Sequence, residues 1–232
     1  MANRIFNVTG NVLNDTALNV GMGTSETINV VGTTEMDIFA PGGGASPVTV
    51  NLAANSKWIG GFTEAPFSSI TVNGPGVFDN LSTVVNGSAV IGANVAGSGT
   101  FNVDAAHSPG KLEFKHSVSA GQTVTVSAGI YAPSQISVLQ VDSPSTYHAA
   151  NILGYGEIIL DGLKATSYAL KNDLLTLFNG NQAIYDTRLS EHDDMRYGVT
   201  NAFGVSQVGT NIVIHNDGPG YHDGGVLLAQ HA

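Results

Sequence analysis

The densest set of metal-type ligands in the chain is the stretch His215-Asn216-Asp217-Gly218-Pro219-Gly220-Tyr221-His222-Asp223. Imidazole and carboxylate together suit a divalent transition metal. A metal centre also needs its donors held at a fixed spacing, and a Gly/Pro loop provides none, so these residues read as a solvated loop. Glu191-His192-Asp193-Asp194 is the second cluster. Neighbours on a strand face opposite ways, so four consecutive ligands converge only within a loop, and a polar cap is the better reading. The calcium-binding solenoid repeat Gly-Gly-x-Gly-x-Asp does not occur in the sequence, and Asp15, Asp37, Asp79 and Asp104 stand isolated. The expectation is no metal site and no cofactor.

A glycan-cleaving enzyme on a β-helical frame needs paired carboxylates, and no two acids recur at strand-alternate spacing in the body of the chain. Ser, His and Asp are all present, but no Gly-x-Ser-x-Gly elbow precedes a helix. Gly42-Gly43-Gly44 runs into Ala-Ser-Pro rather than a phosphate-binding Gly-Lys-Thr. No catalytic residue is expected, and a glycan-active enzyme stays as the lesser alternative. Trp58 and Phe62, with Phe67 nearby, offer two readings. Aromatic rings in that density either form a platform for sugar rings, which makes surface glycans the partner, or close one end of a core.

The elements that must position these residues are short and apolar-alternating. Ser69–Val72, Ser82–Val85, Thr100–Val103, Lys111–Phe114, Gln122–Val126, Ser137–Val141, Glu157–Leu160, Leu174–Phe178 and Asn211–Ile214 are strand-length and rich in Val, Ile, Thr and Phe. Asn73-Gly74, Asn86-Gly87, Asp161-Gly162, Asn179-Gly180 and Asp217-Gly218 separate them with turn chemistry. Helical periodicity is missing apart from two short candidate turns, Ser145–Ala150 and Ser190–Arg196. The fold class is all-β. Between Glu64 and Lys111 the outward positions are filled by Ser, Thr, Asn and Gly where a sandwich would carry Lys and Glu. That pattern points to a β-solenoid with an Asn/Gly-rich N-terminal β segment; a β-sandwich or jelly roll is the alternative.

Composition narrows the partners. With 232 residues the chain can bury a full core, and 42% hydrophobic against 11% charged residues is not the balance of a disordered chain. Eight Lys and Arg against 18 Asp and Glu give a net charge of −10, the wrong sign for nucleic acid or an anionic membrane surface. No apolar run reaches the roughly 18–20 residues of a membrane-spanning helix. Zero cysteines exclude disulfides and thiolate chemistry. The Gly/Pro-rich run from Ala40 to Pro47 suggests two segments: 1–66, an N-terminal β segment and candidate subunit contact, and 67–232, a repetitive body ending in a charged cap.

From about residue 85 to 215 the order of motifs is familiar. Gly97-Ser-Gly-Thr-Phe-Asn-Val103 precedes Lys111-Leu-Glu-Phe114 and Val118-Ser-Ala-Gly-Gln-Thr-Val-Thr-Val126. Ser137-Val-Leu-Gln-Val-Asp-Ser-Pro144 and Asn151-Ile-Leu-Gly-Tyr-Gly-Glu-Ile-Ile-Leu-Asp-Gly-Leu163 follow, then Ala183–Leu189 and Phe203–Ile214. This series resembles the repeat of large secreted bacterial adhesins and autotransporter-like passenger proteins, with Tyr155 where a corner Phe is usual and Glu157 where Asp is common. The resemblance covers a little over half of the chain. It implies a β-solenoid with an adhesive or scaffolding role outside the cell, and it brings no active-site residues.

The functional expectation is therefore a secreted, non-enzymatic structural protein that self-associates into a fibre, surface layer or biofilm matrix, with a carbohydrate-binding adhesin module as the alternative. Met1–Thr9 lacks a basic segment followed by an apolar one, so export is expected to read the C-terminal residues 218–232. The run Arg4–Leu13 has strand composition and one charge, without the Lys or Pro that blunt an edge. Self-association is expected to bury Ile5, Phe6, Val8, Val12 and Leu13.

Overall fold

The computed structural model describes residues 3–9, 17–19, 25–40, 47–64, 66, 68–104, 109–126, 136–147, 151–154, 156–172, 174–190, 203–216 and 226–230. The first strands are β1 (Asn3–Thr9), β2 (Ala17–Asn19), β3 (Ser25–Val31), β4 (Thr33–Ala40), β5 (Pro47–Leu52) and β6 (Lys57–Glu64). Next come β7 (Ser69–Asn80), β8 (Ser82–Val85), β9 (Ser88–Ala96), β10 (Thr100–Val103), β11 (Lys111–Phe114) and β12 (Thr123–Val126). After β13 (Val138–Val141), β14 (Asn151–Gly154) and β15 (Glu157–Leu160) the chain turns to β16 (Ser167–Lys171), β17 (Leu174–Asn179) and β18 (Gln182–Ser190). It ends with β19 (Phe203–Val208), β20 (Asn211–Asn216), β21 (Val226–Leu227) and β22 (Ala229–Gln230).

The protein is a β-solenoid. One parallel ladder runs β1-β3-β5-β7-β9-β11-β13-β15. A second wall runs β2-β4-β6-β8-β10-β12-β14. Between them, the first half of β6 passes to the second half of β7 and then of β9, and isolated bridges continue that wall through Val118 to Tyr147. Strand β7 turns a corner within itself, where the register shifts between Asn73 and Val77. Of the two expected helical turns, the first is a 3-10 turn at Pro144–Thr146, and residues 191–196 of the second lie outside the described residues.

Alternation explains the core. In β3, β5, β11, β12, β13 and β15 every second side chain is buried, as a period-2 strand with one face inward requires. Because the ladder is in register, the inward residues stack into columns: Ile28, Val50, Val72, Ile91, Phe114, Val141 and Leu160 form one, all fully buried. Each buried aliphatic or aromatic side chain in such a column contributes roughly 1.5–3 kcal/mol of apolar burial. The division expected at residue 66 is not a boundary: β5 pairs with β7 and β6 with β8, so both walls and one core run straight through it. Residues 41–46 of the Gly/Pro run lie outside the described residues.

One corner of the interior is polar and satisfied. Asn80, Thr83 and Gln122 are wholly buried. Thr83 Oγ1 donates to Asn80 Oδ1 at 2.6 Å, Asn80 Nδ2 donates to Gln122 Oε1 at 2.8 Å, and Gln122 Nε2 donates to the carbonyls of Ala96 and Asn80 at 2.6 and 3.0 Å. The network ties three successive coils together without leaving those groups unpaired, which is the condition for keeping amides inside a core.

Candidate functional site

The two ends of the solenoid differ. At the far end the parallel ladder stops because β20 pairs antiparallel with β15, placing Ile214 beside Ile158 and Ile212 beside Leu160. Strand β19 closes on β20 as a hairpin, and β18 takes the edge of β14. The β16-β17-β18 meander adds buried Leu175, Leu177 and Tyr185 to the same core. That end is capped. At the other end β1 pairs with β3, and among the described residues no strand lies on its outer side.

The parallel register sets what β1 presents. Arg4, Phe6 and Val8 align with inward Glu26, Ile28 and Val30, whereas Ile5, Asn7 and Thr9 take the outward row. Phe6 and Val8 pack on the core and are only partly buried, since nothing described covers their outer side. Arg4 has a structural task. Glu26 is fully buried, and Arg4 Nη1 reaches its Oε1 at 3.1 Å while the guanidinium lies 4.9 Å from the centre of the Phe6 ring. A buried carboxylate without a cation would be strongly destabilising, and the ring supplies the flat apolar seat that suits a guanidinium.

The outward row carries an amide ladder. Asn29 Nδ2 donates to Asn7 Oδ1 at 2.8 Å, and Asn51 Nδ2 donates to Asn29 Oδ1 at 2.9 Å. Asn73 continues the column in register with Asn51, and Gly92 ends it. Both bonds point their donors toward the open end, so Asn7 accepts from the coil above, and among the described residues its own Nδ2 donates to no side chain. Ile5, beside it in the row, is 61% exposed. Of the expected self-association residues, Phe6 and Val8 thus form the end of the core, Ile5 lies on the flank, and Val12 and Leu13 fall outside the described residues.

The aromatic platform is corrected by burial. Trp58 is 0% and Phe62 1% exposed, with rings 6.4 Å apart inside the solenoid. Trp58 stacks on Phe78 at 4.3 Å, and its Nε1 donates to the carbonyl of Met36 at 2.7 Å. Gly60, at φ +142°, sits against the same carbonyl, where an added Cβ would come within 2.1 Å of the oxygen. Sugar rings need an exposed aromatic face, and neither residue has one. Their spacing came from alternation into the core.

The two clusters of metal-type ligands lie almost wholly outside the described residues. His215 lies in β20 opposite Gly204, whereas Asp217, His222, Asp223 and Glu191–Asp194 are not among the described residues. Surface charges meet opposite charges: Lys57 lies 2.5 Å from Asp79, and Glu113 is flanked by Lys115 at 2.9 Å and Lys111 at 3.5 Å. Asp37 accepts the Gly61 amide at 2.9 Å. Besides Glu26, a second buried acid was not marked by the sequence. Glu64 is 0% exposed, and neither carboxyl oxygen makes a hydrogen bond of good geometry. Burial pushes its pKa up to about 8; the nearby Gly87, Ser88 and Ile70 amides pull it down without overcoming desolvation.

No helix among the described residues is long and apolar enough to cross a membrane. No family model matches the chain, and neither a curated protein nor a solved structure matches it.

Proposed function

We propose that the protein is a secreted, non-enzymatic structural solenoid that self-associates through its open β1 end. The observation that supports this is the contrast between the two ends: hairpin and meander seal one, whereas β1 turns an edge strand, a half-covered Phe6 and Val8, and the first amide of the Asn ladder outward. An unpaired strand edge recruits another strand, and natural proteins that stay single blunt such edges with charge, Pro or a covering loop. The β1 sequence carries one charge, Arg4, already engaged with Glu26.

Light scattering across a concentration series tests the association. The intact chain is expected to exceed its 23.9 kDa monomer mass as concentration rises, and Phe6→Lys, which sets a charge on the exposed end of the core, is expected to stay monomeric with its melting transition retained. An intact chain that remains monomeric throughout overturns the association. Fractionating cells of the source organism tests secretion separately: the protein is expected in the medium or on the surface, and confinement to the cell interior overturns that part.

A further inference from the structure

We infer that the partner at the open end is a second copy of this chain, joined β1 to β1 in antiparallel orientation about a two-fold axis, so that association stops at a dimer. This rests on the self-association proposed above and adds its symmetry. A head-to-tail contact would need an open edge at the far end to receive β1. Among the described residues the last strands of the parallel walls are taken there, β15 by β20 and β14 by β18. The edge that matches β1 is therefore β1 itself, which makes the interface isologous and closed rather than open-ended.

The register follows from the faces. Arg4, Phe6 and Val8 take the inward row and must meet inward residues of the partner strand, since a shift of one residue would drive the apolar row to the solvent side. The arrangement that pairs all seven residues of β1 sets Phe6 opposite its own symmetry mate, Arg4 opposite Val8, Ile5 opposite Asn7 and Asn3 opposite Thr9. It has three physical merits. The two Phe6 rings cover each other at the centre, where aromatic cross-strand pairs are favourable. The two Arg4 residues stand about 13 Å apart along the strands, at a rise near 3.3 Å per residue, so each keeps its own Glu26 without opposing a like charge. Antiparallel pairing is also the somewhat stronger ladder.

Disulfide trapping reads the register directly, because the chain contains no cysteine. Ile5→Cys and Asn7→Cys proteins, each in the full chain, are oxidised alone and as an equal mixture. Directly opposed residues fall within disulfide reach, whereas the diagonal separation of Ile5 from its own mate, about 7–8 Å, is too long. The mixture is expected to give several-fold more covalent dimer than either variant alone, and the intact protein's mass is expected to level off at twice the monomer. Asn3→Cys mixed with Thr9→Cys is the second pair, and it leaves the Asn ladder untouched. Two results overturn the two-fold arrangement while leaving self-association standing: equal trapping alone and mixed in both pairs, or mass that climbs past the dimer into fibres. A monomer at every concentration overturns both readings.

Discussion

Asn29 and Asn7 lie 22 residues apart in sequence and 2.8 Å apart between side-chain amide and side-chain oxygen. Asn29 also accepts from Asn51 at 2.9 Å, so one residue links three coils. Asn29→Ala removes both links. A hydrogen bond contributes about 1 kcal/mol net, and the exposed position lets water replace part of it. The expected loss is about 1–2 kcal/mol, seen as a lower urea midpoint with unchanged slope. A midpoint equal to that of the unaltered protein would mean that the ladder follows the register without enforcing it.

Glu64 gives the solenoid a pH dependence whose sign is fixed by its buried carboxyl. Its pKa rises from 4.5 to about 8 on folding, so between those values the folded chain holds a proton that the unfolded chain has released. The associated stability is fully present below about pH 4.5 and is lost as pH rises toward 8. At 1.36 kcal/mol per pKa unit the whole loss is on the order of 5 kcal/mol. Glu64→Gln cannot ionise. Its urea midpoint is expected to change less between pH 5 and pH 8 than that of the unaltered protein; parallel declines in the two proteins would remove Glu64 as the cause.

Trp58 is the single tryptophan, so intrinsic fluorescence reports on one site. Burial beneath Phe78 and the Met36 carbonyl predicts blue-shifted emission and weak quenching by acrylamide. Addition of oligosaccharides is expected to leave the spectrum unchanged. Red-shifted, readily quenched emission would contradict the interior position.

The solenoid was legible because its strands are marked by alternation: Lys111–Phe114 and Glu157–Leu160 stand in the structure with the limits their residues suggest. Pairing was not. The first coils repeat at 22 residues, visible in Asn7, Asn29, Asn51 and Asn73. Later offsets are 19 from Ile70 to Ala89, 23 from Ala89 to Leu112 and 27 from Leu112 to Leu139. Corner loops of unequal length hide the period, although the β3–β15 ladder keeps its inward column in register. The Arg4–Glu26 pair was hidden for a similar reason: only alignment of the two strands reveals that Glu26, a charged residue in a strand, faces inward and that Arg4 reaches it. Trp58 and Phe62 misled because spacing along a chain does not say which side of a wall a ring occupies.

The in-register walls also make the molecule a ruler. A coil contributes one strand spacing, about 4.8 Å, to the length of the rod, whether its corners consume 19 residues or 27. Duplicating one coil among β3–β7 would therefore lengthen the rod by a single step and leave the hairpin cap and the β1 edge unchanged. Length and end chemistry are set by separate parts of the chain, so descent by coil duplication can change the reach of the protein while its contacts stay the same.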